Sequence, residues 1–293
     1  MRMQGKTLKG LRARQQCAHS ASRTARPVAD QTWPPFSRKA GKPRHPLWLS
    51  RRFDDAAAQK RPLPGVFFLR NLGEYVITFF RTELEQLVRQ RGLRPIGQLH
   101  AEVLDLTVYG DGGDVCVTMP FSTAPGAACT IEELHAMGCS RFLVCGGAGA
   151  LRENSRAGEI FVPTAALRDE GTSYHYLPPA RTVECHPGAL ADLCAGLDRL
   201  GISYTPGLTW TTDALYRETP ALVRRRREEG CLAVEMEAAA FFAVSRYYDL
   251  PLAQLLYAGD DVSGAAWDAR GWDRRHGVRA NLLHTALELM ETF

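Results

Sequence analysis

The sequence predicts an α/β fold: three layers, α/β/α, around a central mixed and twisted sheet. Three observations predict it. Short apolar runs rich in β-formers alternate with stretches of helical period. Glycine or proline marks several of the boundaries between them. Many of the runs are apolar throughout, as strands covered on both faces are.

Taken in order, "EYVITFF" (74–80) reads as a strand and "RTELEQLVRQRG" (81–92) as an amphipathic helix ending at Gly92. "VLDLTVYGDGGDVCVTM" (103–119) reads as two strands around an Asp-Gly-Gly turn. "GAACTIEELHAMGC" (126–139) is a helix that stops at Gly138, and "RFLVCGG" (141–147) is a buried strand running into glycines. "EIFVPTAAL" (159–167) reads as a strand pair. "PGALADLCAGLDRLG" (187–201) is a helix with Pro near its start and Gly at its end. "GLTWTTDALY" (207–216) is a strand leading to a polar turn. "CLAVEMEAAAFFAVSRYYDL" (231–250) passes from a short strand into an Ala-rich helix. "PLAQLLYAGDDVSG" (251–264) is a strand with a loop, and a closing helix begins near Val278. In such folds ligands gather where strands end and loops begin.

The 293 residues are 45% hydrophobic and 23% charged, a globular composition with ample material for a core. No run of eighteen apolar residues exists, so no spanning helix and no membrane partner is expected. The net charge of +4 hides an asymmetry. Residues 1–62 hold 15 Lys and Arg against 3 Asp and Glu; the remainder holds 21 against 29. The folded part is therefore acidic, and nucleic acid is not an expected partner. Residues 1–62 lack periodicity and aliphatic side chains, which leaves too little apolar surface to offset chain entropy. They read as a disordered basic arm, a transit peptide or a leader included by an early start codon; residues 63–293 form the domain. The eight cysteines form no CxxC and no zinc spacing. They read as buried thiols of a reducing, cytoplasmic compartment.

Four stretches carry polar chemistry beside apolar strands. Gly146-Gly147-Ala148-Gly149 would let a ligand approach the backbone, or would simply form a tight strand–helix turn. In "VEMEAAA", Glu235 and Glu237 flank Met236. They either cap the following helix or read a vicinal diol such as that of ribose, with Met236 flat against the sugar. In "AGDDVSG", the adjacent Asp260 and Asp261 repel, which raises one toward a protonated acid able to donate to a leaving group; the other reading is a solvated turn. "RDEGTSYHYLPP" (168–179), with His175, is a specificity loop or an ordinary exposed turn.

The order of these motifs over about 120 residues resembles the nucleoside phosphorylase family, which contains purine nucleoside phosphorylase, uridine phosphorylase and the methylthioadenosine/adenosylhomocysteine nucleosidases. "CGGAGAL" is similar to the family's phosphate and sugar turn, "TTDALY" to its base-side segment with Leu215 where Phe is common, and "VEMEAAA" to its ribose clamp. The resemblance covers roughly residues 66–290. It implies that Glu237 holds the ribose hydroxyls with Met236 and Glu235 beside it, and that Asp261 protonates the base. It further implies that Gly146 and Gly147 line the anion or water at the anomeric carbon, and that Tyr216 and Arg217 flank the base. Three departures stand out, one being "RETP" (217–220) where a pyrimidine reader of the family carries Gln and Arg, which weakens uridine as substrate while Asp261 favours a purine. Val144 replaces an arginine of the phosphorolytic members, and "TFFRTEL" replaces their Gly-Asp-Pro-x-Arg loop. Arg81 is close enough in sequence to supply a guanidinium for phosphate, alongside Gly147.

The implied activity is that of a pentosyltransferase: N-glycosidic cleavage of a ribonucleoside through an oxocarbenium-like transition state, with phosphate as co-substrate and no metal or organic cofactor. A nucleosidase using water and a non-catalytic nucleoside-binding protein are the alternatives. The resemblance also implies a homo-oligomer, a dimer or trimer of dimers, with His100 or Arg81 able to enter a neighbour's site.

Overall fold

Strands β1 (Glu74–Thr78) and β5 (Arg141–Ala150) are parallel neighbours, and both are buried on both faces, which is why they read as unbroken apolar runs. The computed structural model describes residues 74–101, 104–112, 115–264 and 266–290, all inside one unit spanning Lys42–Phe293. The basic segment 1–62 lies outside the described residues.

The remaining strands are β2 (Arg94–Ala101), β3 (Leu104–Gly110), β4 (Val115–Thr118), β6 (Ile160–Asp169), β7 (Thr182–Glu184), β8 (Thr205–Thr212), β9 (Cys231–Glu235) and β10 (Leu252–Asp261). All belong to one mixed sheet. On one side β5 continues through β1, β4, β3 and β2, with β4–β3–β2 antiparallel. On the other side the sheet closes on itself. β5 pairs with β10, β10 with β6, β6 with β8, β8 with β9, and β9 again with β5. The sequence predicted the mixed sheet but not this five-strand ring.

The helices are α1 (Arg81–Arg91), α2 (Thr123–Ala136), α3 (Pro187–Arg199), α4 (Pro220–Glu228), α5 (Ala238–Tyr248) and α6 (His276–Met290). Helices α1, α6 and α3 touch in series, and α2 packs on α5. Every residue of α5 from Ala238 to Ser245 is buried. A helix enclosed on all sides is apolar all round, which explains its alanines and phenylalanines. Its end is set by Asp249 at φ 56°, a left-handed position that Asp tolerates. Helix α1 ends likewise at Gly92, φ 65°. Helices α3 and α4 each start with Pro at the first turn, behind His186 and Thr219 whose side chains accept from Ala189 N and Leu222 N.

Three local expectations need correction. "EIFVPTAAL" is one strand, β6, not a strand pair: Pro163 falls where the register against β8 shifts, so its missing N–H breaks no regular ladder. The glycines 146–149 are not a turn, because β5 runs straight through them to Ala150. Asp260 and Asp261 are likewise not in a turn; they end β10, and Asp261 pairs with Asp268 through two backbone hydrogen bonds of 2.8 and 2.9 Å.

Candidate active site

The fold opens a seam in its own sheet. Strand β1 pairs with β5 only as far as Thr78 opposite Cys145, and β9 takes up the same edge only from Gly149 opposite Val234. Along Gly146–Ala148 no described strand pairs with that edge, while β10 holds the other. Gly147 is the one exposed residue of β5 between Phe142 and Ala150. A cleft therefore reaches the backbone of a strand that is otherwise buried. Side chains there would close it: a Cβ on Gly147 would lie 3.0 Å from the Tyr257 ring, and one on Gly146 would lie 3.2 Å from Phe79. The glycines serve close approach, as the sequence suggested, but in extended backbone rather than in a turn.

One border of the seam is the end of β9 and the start of α5. Glu235 is buried and accepts three hydrogen bonds, from Thr211 Oγ1 (2.6 Å), Glu237 N (2.7 Å) and Ala238 N (2.6 Å). It caps α5, as one of the two sequence readings held. Thr211 Oγ1 in turn accepts from Ala239 N at 2.9 Å. Glu237 is also buried and accepts from Thr123 N at 2.7 Å, across 114 residues. Burial, then the nearby Glu237 carboxylate, push Glu235 up to about 8, against the pull of its three donors. Burial likewise raises Glu237. Met236 between them is only half-buried, so the apolar side chain sits beside two carboxyls that the fold fixes in place.

The opposite border is the end of β10. Asp261 forms an ion pair with Arg270, and its Oδ1 accepts from Ser263 N at 2.8 Å. Arg270 also donates to Ser155 O at 2.9 Å. Asp260 accepts from Trp267 Nε1 at 2.7 Å, and its oxygens lie about 3.5 Å from where a Gly149 Cβ would be, on the face of β5 that exposes Gly147. Glu218 shares this corner. Burial, and then the charge of Asp260, push its carboxyl up to about 7.

Tyr216 and Arg217, which the resemblance placed beside a base, stand in solvent in the single chain. Tyr216 is 92% exposed, and Arg217 is exposed beside it in the 3₁₀ turn Leu215–Arg217. That turn is tied to the 168–179 loop, because Gly171 N donates to Asp213 at 3.0 Å. The loop itself is rigid. The buried Arg168 donates to Ser173 Oγ, Pro178 O and Leu177 O, and Glu170 accepts from Ser173 N. His175 is exposed. Arg81 is exposed at the first position of α1, and Val144 is wholly inside the core, so β5 carries no guanidinium toward the seam. His100 lies on β2.

Sequence reasoning passed over two residues here. Glu83, in the first turn of α1, is 2% exposed. Its Oε1 meets His276 Nδ1 at 2.7 Å, while its Oε2 is buried without a hydrogen-bond partner. Arg279, one turn beyond His276 on α6, donates to Tyr257 Oη at 3.0 Å. Neither lies in a recognisable motif; only burial and pairing single them out. Among the described residues no group of three or more His, Cys, Asp or Glu could hold a metal ion, and no helix is long and apolar enough to cross a membrane.

The seam is floored by glycines, with a buried carboxylate pair on one side and acids at a strand end on the other. A family model described as the phosphorylase superfamily matches residues 75–287. The chain belongs to the phosphorylase superfamily. Guanosine phosphorylase from Halorubrum lacusprofundi is 33% identical over 136 residues, covering 46% of this chain and 56% of that protein. Uridine phosphorylase from Thermococcus kodakarensis is 29% identical over 164 residues, covering 52% and 59% respectively. The chain thus spans a little over half the length of these curated relatives. The crystal structure of the 5′-methylthioadenosine/S-adenosylhomocysteine nucleosidase of Campylobacter jejuni superposes with a TM-score of 0.63 at 14% identity, over 76% of this chain and all of that one. The sequence relatives are thus named as phosphorylases, and a protein that shares the fold is named as a nucleosidase.

Proposed function

We propose that this chain is a nucleoside phosphorylase: it cleaves the N-glycosidic bond of a ribonucleoside and transfers the ribosyl group to phosphate, releasing free base and ribose 1-phosphate. The observation that carries this reading is the exposed Gly147 backbone bordered by the buried Glu235–Glu237 pair. A sugar laid along the vacant edge of β5 meets no side chain from the strand. Glu237 accepts from its hydroxyls, Met236 packs on its face, and Glu235 holds both in position by capping α5. A phosphate oxygen attacks C1′ as the C1′–N bond breaks, and the bonding pair passes to the base nitrogen. The attacking hydrogen phosphate gives up the proton that neutralises the leaving base, and Asp261, a carboxylate in its ion pair with Arg270, relays it. General acid catalysis of this kind contributes on the order of 10²–10⁴-fold. Tyr216 and Arg217 flank the base, and no metal or organic cofactor enters the reaction.

A second reading is favoured by a specific observation. Val144 is core, and Glu83 presents a buried, unpartnered Oε2 backed by His276. A carboxylate so placed would orient water, making the chain a nucleosidase. The deciding experiment incubates the protein with purine and pyrimidine nucleosides, with and without phosphate, and measures free base and sugar phosphate. Base released only with phosphate, with ribose 1-phosphate formed, supports the phosphorylase; release without phosphate makes it a nucleosidase. Binding without release under either condition leaves a non-catalytic nucleoside-binding protein.

The same reading makes the chain a cytoplasmic homo-oligomer. Leu215, Tyr216, Trp267 and Trp272 are exposed apolar side chains around the seam, of the kind a partner covers. A sizing column that returned a fully active monomer would contradict this.

A further inference from the structure

We propose that Arg279, on the closing helix, is the residue that holds a phosphate group at the seam. The inference rests on the reading above that the seam is the substrate cleft, and it supplies what the sequence lacks: a guanidinium to replace the one absent at Val144.

Four observations carry it. Arg279 is tied to the floor of the cleft through one side chain. Its Nε donates to Tyr257 Oη at 3.0 Å, and that oxygen lies 3.4 Å from where a Gly147 Cβ would stand. Its orientation is fixed from the other end, because another nitrogen donates to Trp272 O at 2.7 Å. Its plane is flanked by aromatic rings, with the guanidinium carbon 5.9 Å from the Phe80 centroid and 5.5 Å from that of Trp272. Finally, among the described residues no carboxylate pairs with it, although Arg270, Arg226, Arg227 and Arg181 all have one. A half-buried guanidinium that is oriented, stacked and unneutralised is a ready partner for an anion. Phosphate matches its fork geometry. Two sources share that chemistry: inorganic phosphate acting as nucleophile, and the 5′-phosphate of a nucleotide substrate.

The test is calorimetric titration of the full chain with inorganic phosphate alone and, separately, with a nucleoside 5′-monophosphate. It compares wild type, Arg279→Met and Arg279→Lys, with the unphosphorylated nucleoside as control and melting curves to verify folding. The wild type is expected to bind at least one probe, and Arg279→Met to weaken that binding roughly ten- to a hundredfold without affecting the control. Weakening toward inorganic phosphate identifies the nucleophile as the source; weakening toward the nucleotide alone identifies the substrate's own phosphate. If the Met variant does not fold, Arg279→Lys carries the test. An ammonium cannot hold Tyr257, the Trp272 carbonyl and a phosphate in one plane, so binding must still fall severalfold. A wild type that binds neither probe, or variants that bind as wild type does, overturns the assignment. Because the readout is binding, phosphate held without any base release would sink the phosphorylase reading and leave the assignment of Arg279 standing.

Discussion

Replacing Glu235 with Gln should change how stability depends on pH. Glu235 is buried against Glu237, and its carboxyl is pushed up to about 8 from an ordinary 4.5, by burial first and then by the Glu237 charge. Between those two values the folded chain holds a proton that the unfolded chain has released. The folded state binds more protons in that window, so stability must fall as pH rises through it. One proton corresponds to about 1.4 kcal/mol per pH unit, hence a loss of roughly 2–3 kcal/mol between pH 5.5 and 7.5. In a domain of this size that is a drop in melting temperature of roughly 5–11 °C. The variant removes the titrating group and relieves the raised Glu237 beside it, while its amide oxygen can still accept from Glu237 N and Ala238 N. Urea unfolding of both proteins at pH 5.5, 6.5 and 7.5 measures the difference. Wild type should lose stability more steeply than Glu235→Gln by about the slope given above. Parallel curves would refute the claim that the pair shares a proton.

Glu237→Gln should keep the fold, because an amide oxygen can still accept from Thr123 N, but should reduce turnover of ribonucleosides by one to two orders of magnitude, roughly the worth of a charged hydrogen bond; a steady-state assay showing unchanged kcat/KM would remove Glu237 from the sugar site. Thr123 sits at φ 73°, a left-handed position that a β-branched side chain occupies only under strain, so Thr123→Gly should stabilise by about 1–2 kcal/mol in denaturant unfolding; a destabilised variant would mean that the threonine side chain does more than suffer the turn. Gly147→Val places a side chain against the buried Tyr257 ring and into the cleft, and should both cost about 1–3 kcal/mol and abolish nucleoside binding by calorimetry; retained binding would move the sugar away from the vacant edge of β5.

How much of this was legible in the sequence follows from where the information resides. Strands β1, β5 and β10 are buried on both faces, so composition alone exposes them, and α5 is enclosed, so its apolar content does the same. Helix α4 went unread because "PALVRRRRE" buries only Val223 and Arg226; an arginine that becomes interior by pairing with Asp169 and Glu229 leaves no apolar stripe. Strand β2 was missed because it is the last in the sheet, carries Pro95 and Gly97, and has a register shift between them. The ring was invisible because its closure rests on very few paired residues, two between β10 and β6 and two between β5 and β9, which no local pattern encodes.

The site divides along the same line. Glu235 and Glu237 stood out because two acids inside an apolar stretch violate the local rule, and violations of that kind mark places where chain chemistry is put to use. Glu83 violates nothing: in "RTELEQL" it is one acid in the first turn of an amphipathic helix, where a carboxylate is ordinary. Arg279 is likewise unremarked in a helix. What distinguishes both is tertiary: among the described residues, a buried oxygen finds no donor and a guanidinium no carboxylate. The two lie on neighbouring elements, because His276, which binds Glu83, precedes Arg279 by one turn of α6. One helix thus brings both His276, which meets Glu83, and Arg279, which meets Tyr257, to the strands they border. Under the two readings proposed above, α6 is where water and phosphate would be told apart, although it carries none of the motifs that stood out in the sequence.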